Sequence, residues 1–347
     1  MLCDWKICRI REEMSNATKI VEPSLTGLNV DNRVVLAGLL DQGGFGMIYK
    51  AKDMITGFEL IAKVEKIDSK FAKHEAEVLK QLNEVCMNRR GIVTEPVVYF
   101  YGFYTLKNHY VILMQALGPS IRDLKKRIIA DRFSKKTSLW VCRKMIHALE
   151  FMHSIGLIHG DVKPSNFCVG LDKRDRQVYV IDFGVTRKYN PKTEGFAYAH
   201  RLFIGTSRYA SPANHDGIDD GMIGDLWGVF FSTIENLLGQ LPWRTETNKE
   251  IIRQYKKELY NDRISKQQML HPWFASPGPP PSILYFLHCL LKCSSTQFSH
   301  QTIIAAINYD LHMLRFDEHK TQLDWEGIGY VEEIVTKYWE NPYHAFC

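Results

Sequence analysis

Short runs of apolar and polar residues fill residues 34–113, after a polar leader. The runs have the lengths and the content of β-branched and aromatic residues that are typical of strands. In chain order they read VVLAGLL, MIYKAKD, FELIAKVE, VVYFYGFY and YVILM. A single helical pattern interrupts them at residues 69–85. The pattern therefore predicts a β-rich unit that contains one helix.

Beyond Gly118, the apolar positions follow the period of a helix rather than that of a strand. In residues 137–154 they fall on one helical face. Residues 225–238 are apolar nearly all round and are followed by Gly239, which predicts a helix buried inside this part of the chain. We therefore expect an α+β fold with a small β-rich lobe and a larger α-rich lobe.

The composition is that of an ordinary globular protein. The chain has 347 residues, of which 45% are hydrophobic and 24% charged, and this allows a sizeable core. A formal net charge of +5 is too small to indicate nucleic-acid binding. The stretch ILYFLHCLL is too short to cross a bilayer, and the N-terminus lacks a signal-peptide pattern. We expect a cytoplasmic protein, with the nucleus as the alternative, and no nucleic-acid or membrane partner.

A glycine cluster, Gly43, Gly44 and Gly46, lies between two predicted strands. Backbone N–H groups can approach phosphate oxygens closely where side chains are absent, so the cluster suits a phosphate-binding loop. A plain hairpin turn is the alternative for the same residues. The cluster lacks the G-x-x-x-x-G-K-[ST] pattern, which excludes a Walker-type loop.

A lysine and a glutamate form a candidate ion pair. Lys63 lies within a predicted strand, where an exposed lysine would be ordinary. In the helical pattern that follows, Glu75 lies on the same face as Phe71 and Leu79. A carboxylate on a buried face needs a partner, because an unpaired buried charge is strongly destabilising. We predict that Lys63 pairs with Glu75, and the alternative is that Glu75 reaches solvent.

The segment HGDVKPSN combines Asp161, Lys163 and Asn166. A later apolar run, VYVI, leads into Asp-Phe-Gly at Asp182. Transfer of a phosphoryl group to a hydroxyl needs a proton acceptor, a divalent metal ion and a cation near the transferred group. Two carboxylates, an amide and a lysine supply these functions.

Together these motifs resemble those of the eukaryotic protein kinases over residues 34–326. The resemblance implies a two-lobed protein-kinase fold, with an N-lobe at residues 31–114 and a C-lobe at residues 115–326. Residues 1–30 would be an N-terminal leader and residues 327–347 a C-terminal tail. The implied activity is transfer of the γ-phosphoryl group of ATP to protein hydroxyls, with ATP and Mg²⁺ as ligands.

The resemblance also implies roles for the charged residues. Asp161 would be the catalytic base, and Lys163 would contact the γ-phosphate. Asn166 and Asp182 would bind Mg²⁺. Asp225, in GDLWG, matches the buried aspartate that anchors the catalytic loop from the central helix.

A nucleotide pocket follows from the same resemblance. Lys63 would hold the α- and β-phosphates of ATP while it is paired with Glu75. In YVILMQALG, Met114 matches the gatekeeper, and Leu117 matches the hinge residue whose backbone meets adenine. The remaining nucleotide contacts are expected at Leu40, Gly43, Gly44, Gly46 and Ile48.

The activation segment GTSRYASPANH lacks Ala-Pro-Glu and, with KPSNF, resembles the casein kinase I superfamily. Its tau-tubulin kinase branch has the most similar short motifs, which here are GQLPWR, MQALG, DMITG, KVE and DWE. The motifs QGGFG and HGD are instead similar to the vaccinia-related kinase branch, which is the alternative. Serine and threonine are the acceptors that this resemblance implies.

Three positions depart from the usual kinase pattern. Gly160 stands where most kinases have an arginine that pairs with a phosphorylated activation loop, so we expect activity independent of such a phosphate. Asp41 replaces the first glycine of the loop, and Ile61 replaces a small residue over adenine. Ile61, and Asp41 unless it points to water, would weaken ATP binding without removing a catalytic group, so a pseudokinase scaffold that acts by protein binding is the alternative function.

The activation segment also holds candidate substrate-binding residues. Arg208 matches a position that helps to bind acidic or phosphate-primed substrates in casein kinase I relatives. Further basic residues nearby are Arg187, Lys188 and Arg201. The alternative is that Arg208 only braces the segment. Thr206 is expected to hydrogen-bond to Asp161. We expect protein substrates of the acidic or primed kind and a monomeric enzyme.

Overall fold

The computed structural model describes residues 24–43, 46–88, 96–171, 175–195, 205–258 and 278–326. Gly44 and Arg201, two of the predicted functional residues, lie outside the described residues. Most of the predicted leader and all of the predicted tail lie outside them as well.

An antiparallel six-stranded sheet forms the N-terminal part, with the strand order β1-β2-β3-β4-β6-β5. Its strands are β1 (Asn29–Val30), β2 (Val34–Gly43), β3 (Gly46–Asp53), β4 (Glu59–Lys66), β5 (Phe100–Leu106) and β6 (His109–Gln115). Side chains of β3 alternate between buried and partly exposed, as the two-residue period predicts. In VVYFYGFY only the later residues form a strand, because Val97 instead bridges to Val180 in the helical part.

Helix α1 (Lys70–Asn88) packs against β5 and β6 of this sheet. Its buried face contains Leu79, Leu82 and the predicted Glu75. Phe71, which the sequence assigns to the same apolar face, is 40% exposed. Gly184 lies next to Phe71 and has no side chain that could cover it.

Helices dominate the rest of the described chain. They are α2 (Ile121–Arg127), α3 (Lys135–Ser154), α4 (Pro212–His215), α5 (Gly221–Leu238), α6 (Lys249–Glu258), α7 (Pro281–Lys292) and α8 (His300–Met313). Two short antiparallel ladders lie among them, β7 (Leu157–Ile158) with β10 (Arg187–Lys188) and β8 (Phe167–Val169) with β9 (Val178–Val180). Within the described ranges, no helix has the length and hydropathy needed to cross a membrane.

Helix α5 lies at the centre of the helical part and is buried along most of its length, as its all-round apolar pattern predicts. It packs against α3 and α7. The helix ends where Gly239 takes a φ of +91°, a left-handed conformation that glycine adopts without strain. The sequence therefore places both the burial and the end of this helix correctly.

Two apolar clusters stabilise the fold. The smaller one fills one side of the sheet and includes Leu36, Tyr49 and Val111. The larger one continues from α1 into the helical part and includes Leu79 and Phe183. Because this second core is shared, the sheet and the helices form two lobes that are packed against each other beside a cleft.

Candidate active site

A cleft of about 730 Å³ lies between the sheet and the helical lobe. Its volume is within the range of about 300–1,000 Å³ that is typical of small-molecule sites. The predicted site residues that line it are Leu40, Gly43, Gly46, Ile48, Lys63, Glu75, Met114, Leu117, Lys163, Asn166 and Asp182. Asp161 borders a neighbouring cavity of about 250 Å³ and is joined to the cleft by its hydrogen bond with Lys163.

Strand β4 and helix α1 bring Lys63 and Glu75 together. The Nζ atom of Lys63 lies 2.6 Å from Glu75 Oε2 and 2.9 Å from Asp182 Oδ1. Glu75 is 1% exposed and Lys63 is also buried, so the solvent-exposed alternatives for both residues are wrong. Lys63 therefore links the sheet and α1 to the segment that follows β9.

The charges in this cluster depend on one another. Burial by itself lowers the pKa of Lys63, but Glu75 and Asp182 outweigh it and raise that pKa above its usual value. Burial raises the pKa of Asp182, but Lys63 outweighs this effect, and the pKa lies below its usual value. Lys63 is therefore a cation and Asp182 an anion at neutral pH, which are the charges that phosphate and metal ligands require.

The two described glycines of the glycine-rich hairpin, Gly43 and Gly46, differ in whether a side chain would fit at their position. Gly46 has a φ of +113°, and a Cβ at this position would lie 2.4 Å from the carbonyl oxygen of Val64. Packing against β4 is therefore enough to require glycine at this position. A Cβ at Gly43 would meet nothing within 4 Å, so this glycine borders open space in the cleft.

The two residues that depart from the kinase pattern in this lobe both line the cleft. Asp41 is exposed, and its Oδ1 accepts a hydrogen bond of 2.8 Å from the backbone amide of Gln42. Ile61 is partly buried and faces Met114 across the β4–β6 pairing. Ile61 therefore narrows the pocket, whereas Asp41 keeps its contact with solvent.

The segment between β7 and β8 carries the other charged candidates. The carboxylate of Asp161 accepts hydrogen bonds from Lys163 Nζ at 2.5 Å and from the backbone amide of Thr206 at 2.8 Å. Asn166 donates to the carbonyl oxygen of Asp161 at 2.9 Å. The predicted contact of Thr206 with Asp161 is confirmed, but it uses the amide. The Thr206 hydroxyl instead accepts from Lys163 at 3.2 Å.

Asp225 of α5 holds this loop in place. Its Oδ2 accepts the backbone amide of His159 at 2.7 Å, and its Oδ1 accepts that of Gly160 at 2.8 Å. Gly160 has a φ of +84°, and a Cβ there would lie 3.1 Å from the carbonyl oxygen of Val185. The backbone conformation thus requires a glycine at this position, where most kinases have an arginine.

Two of the four predicted basic residues in the activation segment have partners within the protein. Arg187 pairs with the buried Asp219 at 2.5 Å. Arg208 donates to the carbonyl oxygen of Arg244 at 2.8 Å, which agrees with its bracing alternative. Lys188 is exposed, and Arg201 lies outside the described residues.

Two buried residues beside the site, Glu65 and His153, are not among those predicted from the sequence. Glu65 Oε1 lies 3.6 Å from Lys63 Nζ, and the two-residue period of β4, which puts both on one face, is the signal that could have found it. His153 lies on the buried face of α3, with Nε2 3.0 Å from Asp225 Oδ2. A polar residue among apolar helical positions is the corresponding signal.

Comparison with known proteins identifies the family, because a model of the protein kinase domain matches residues 35–305. The chain belongs to the protein kinase family. The kinase is 29% identical over 308 residues to a Dictyostelium discoideum protein whose name describes a probable serine/threonine-protein kinase. It is also 29% identical over 311 residues to a Caenorhabditis elegans protein whose name places it in casein kinase I.

These matches cover 86% of the kinase and 58% of the Dictyostelium protein, and 84% of the kinase and 86% of the nematode protein. The family match confirms the two-lobed kinase fold that the sequence predicts. Members of this family act with ATP on protein substrates. All predicted site residues lie within the matched range of the kinase.

Proposed function

We propose that this kinase transfers the γ-phosphoryl group of ATP to serine and threonine hydroxyls of proteins, with Mg²⁺ as its metal ion. The observation that carries the proposal is that Lys63, Asn166 and Asp182 line one cleft, and that Asp161 beside it is joined to it by hydrogen bonds with Lys163 and Asn166. The names of the two relatives support serine or threonine as the acceptor.

The groups at the cleft fit these ligands. Magnesium prefers oxygen ligands, which the carboxylate of Asp182 and the amide oxygen of Asn166 supply. Asn166 uses its Nδ2 for the Asp161 carbonyl, so its side-chain oxygen is the atom that would hold the ion. When bound, Mg²⁺ neutralises phosphate charge and helps to orient the triphosphate.

The proposed reaction assigns one task to each charged side chain. Asp161 accepts the proton of the substrate hydroxyl. Lys163, which contacts Asp161, supplies positive charge next to the transferred group. Lys63, held by Glu75, supplies positive charge to the α- and β-phosphates. The amide of Thr206 and the amine of Lys163 fix the orientation of the Asp161 carboxylate before substrate binds.

The adenine and ribose would occupy the apolar end of the cleft. Met114 in β6 and Leu117 just after this strand line this end, and Ile61 narrows it. The other proposed nucleotide contacts are Leu40, Gly43, Gly44, Gly46 and Ile48. An apolar pocket with a few directed polar groups is the arrangement that binds nucleotide bases well.

We place the kinase near casein kinase I, in the tau-tubulin kinase branch, and propose that it needs no phosphate on its activation loop. Gly160 has a positive φ and a close approach to the Val185 carbonyl, so an arginine that could pair with such a phosphate would be strained at this position. Residues 187–195 are held by partners within the protein, through Arg187 to Asp219 and through Glu194 to the amide of Ser295 at 2.6 Å. The casein kinase I name of one relative supports this assignment.

We retain acidic or phosphate-primed proteins as the proposed substrates. Support comes from the exposed Lys188 and from the overall charge of +5. The domain boundaries at residues 31 and 326, the monomeric state and the cytoplasmic location stay predictions, as does the lack of nucleic-acid and membrane partners.

Phosphate transfer to casein tests this proposal. Wild type should phosphorylate serine or threonine in the presence of ATP and Mg²⁺, whereas Asp161→Asn should lose about 100-fold or more of kcat, because its amide cannot accept the proton. Asp68→Asn, at an exposed aspartate, serves as the matched control and should keep full activity. The measurement is incorporation of labelled phosphate, followed by identification of the modified residue.

Equal signals from wild type and Asp161→Asn would indicate a contaminating kinase and contradict the proposal. Absence of a thermal shift with ATP and Mg²⁺ would favour the scaffold alternative. A ligand at 100 times its Kd stabilises a protein by about 2.7 kcal/mol, which such an assay detects readily.

A further inference from the structure

Helix α6 carries a lysine on its buried face. Lys256 is 0% exposed and follows the buried Ile252 by one helical turn, so a cation occupies an apolar position. A lysine is rarely buried completely unless its amine has partners. The kinase chemistry described above makes no use of Lys256, because none of its contacts lines the cleft.

The amine of Lys256 has three polar neighbours. Its Nζ donates to the carbonyl oxygens of Ser207 at 2.7 Å and Ala210 at 2.6 Å, and lies 3.2 Å from His215 Nε2. The same His215 nitrogen lies 3.2 Å from the carbonyl oxygen of Ser207, so the ring tautomer decides whether it accepts from Lys256 or donates to Ser207. With either tautomer, Lys256 Nζ donates to two backbone carbonyls of one segment.

Two aromatic rings complete the surroundings of this amine. Its nitrogen lies 4.8 Å from the ring centre of Phe231 and 5.3 Å from that of Trp243. Aromatic faces attract cations, and the attraction is larger where water is excluded. Burial lowers the pKa of Lys256 well below its usual value.

The carbonyl groups that Lys256 binds belong to residues 207–210, directly after Thr206. The indole of Trp243 donates to the intervening carbonyl oxygen of Arg208 at 2.9 Å. The side chains of Lys256 and Trp243 thus fix three backbone carbonyls within residues 207–210. On its other side, the segment is attached to Asp161 through the amide of Thr206.

We infer that Lys256 is a positioning residue that holds residues 206–210 as the surface on which the protein substrate lies. The inference rests on the proposed kinase function. A substrate hydroxyl that approaches Asp161 must bring its flanking peptide past Thr206 and the residues after it, because Thr206 contacts the Asp161 carboxylate. Lys256 acts on this peptide through the backbone of the segment and has no contact with the nucleotide cleft.

Lys256→Met tests this role, since methionine keeps the approximate length and apolar character but removes the donors. We expect faster amide hydrogen exchange in residues 206–216, about a tenfold higher KM for casein, and a KM for ATP within about twofold of wild type. Lys257→Met is the matched control. Its side chain is 42% exposed and pairs with Asp216 at the surface, so all three values should stay at wild-type levels.

Unchanged exchange and an unchanged KM for casein in Lys256→Met would overturn the inference. Faster exchange over the whole domain with loss of ATP binding would also overturn it, because Lys256 would then only support the fold. If Lys256→Met does not fold, His215→Ala removes one neighbour of both the amine and the Ser207 carbonyl at a partly exposed position and must also raise exchange at residues 207–210. If wild type transfers no phosphate, the proposed function fails, while the exchange measurement still decides whether Lys256 anchors the segment.

Discussion

Asp161 has hydrogen bonds to both oxygens of its carboxylate, from Lys163 and from the amide of Thr206. Two donors from different parts of the chain fix the orientation of this carboxylate. Each oxygen of the carboxylate keeps a further lone pair, which can accept the proton of the substrate hydroxyl.

Gly160 determines the backbone path that aims Asp161. Gly160→Ala should lower kcat/KM by about 100-fold, because the added Cβ meets the Val185 carbonyl and displaces the neighbouring Asp161. We also expect a loss of about 1–3 kcal/mol in the free energy of unfolding, from the unfavourable φ and the close contact. Steady-state kinetics and denaturant titration measure the two effects.

Gly156→Ala is the matched control for this change. Gly156 has a similar φ of +74°, but a Cβ there would meet nothing within 4 Å. The Gly156→Ala variant should lose a similar amount of stability, because alanine is unfavourable at a positive φ, but it should keep its activity. Equal kinetic effects of the two substitutions would contradict the role given to the Val185 contact.

At the scale of elements, residues 317–326 close the helical lobe by packing on α3. Trp325, from the DWE motif, lies with its ring centre 5.3 Å from that of Phe133 and 5.9 Å from that of Trp140. Glu318 accepts a hydrogen bond from the Trp140 indole at 3.0 Å and pairs with Lys144 at 3.0 Å. This segment is therefore part of the folded kinase lobe.

The contribution of Glu318 should depend on pH. Burial raises the pKa of Glu318, but Trp140, Lys144 and Arg143 outweigh it and lower the pKa to about 2. The folded-state pKa is thus below the unfolded value, so the stabilisation is complete above about pH 4.5 and is lost as the pH falls towards about 2. Glu318→Gln should cost about 1 kcal/mol at neutral pH, since the side chain is partly exposed.

Denaturant titrations of wild type and Glu318→Gln between about pH 7 and pH 3 measure this dependence. The difference between them should shrink as the pH falls. Glu84→Gln, at an exposed position of α1, is the control and should stay close to wild type throughout. If the difference in the free energy of unfolding between wild type and Glu318→Gln grew at low pH, the predicted direction of the pH dependence would be contradicted.

At the scale of the whole molecule, the two lobes are joined by charge as well as by the shared core. Lys63 in the sheet pairs with Asp182 in the segment that follows β9, and the amide of Phe183 donates to Glu75 at 3.3 Å. The segment from β10 onward is in turn attached to Asp219 by Arg187. The charged groups of the cleft and the activation segment up to Gly195 are thus both held by ion pairs within the protein.

Phosphatase treatment of the purified kinase should therefore leave its activity towards casein nearly unchanged. Arg187→Gln should lower kcat/KM by about tenfold, because it removes a charge-assisted hydrogen bond that anchors the activation segment. Arg132→Gln, at an exposed arginine of the helical lobe outside the activation segment, is the matched control and should cause less than a twofold change, on the order of a surface substitution. Loss of activity after phosphatase treatment of wild type would contradict the prediction.

Much of the fold and site can be predicted from sequence because the signals are local. The alternation in β3 and the apolar pattern of α5 correspond to their observed elements. Glu75 on an apolar helical face correctly indicates a buried partner. The prediction that Phe71 lies on the buried face of α1 is wrong. Helical periodicity does not reveal that the residue packed next to Phe71 is a glycine, Gly184. The sequence predicts Arg208 either as a substrate contact or as a brace of the activation segment. Its observed partner is the carbonyl oxygen of Arg244, and a backbone carbonyl has no sequence signature.

The sequence by itself determined the strands β2–β6, the helices α1, α3 and α5, the resemblance to the kinase family and the chemical groups of the site. Spacing and periodicity encode these properties within short windows of the chain. Only the tertiary structure decided that Thr206 uses its amide on Asp161, that Arg187 is engaged by Asp219, and that the amine of Lys256 has carbonyl partners. These contacts join residues distant in the chain, and backbone groups, which every residue carries, leave no pattern in the order of side chains.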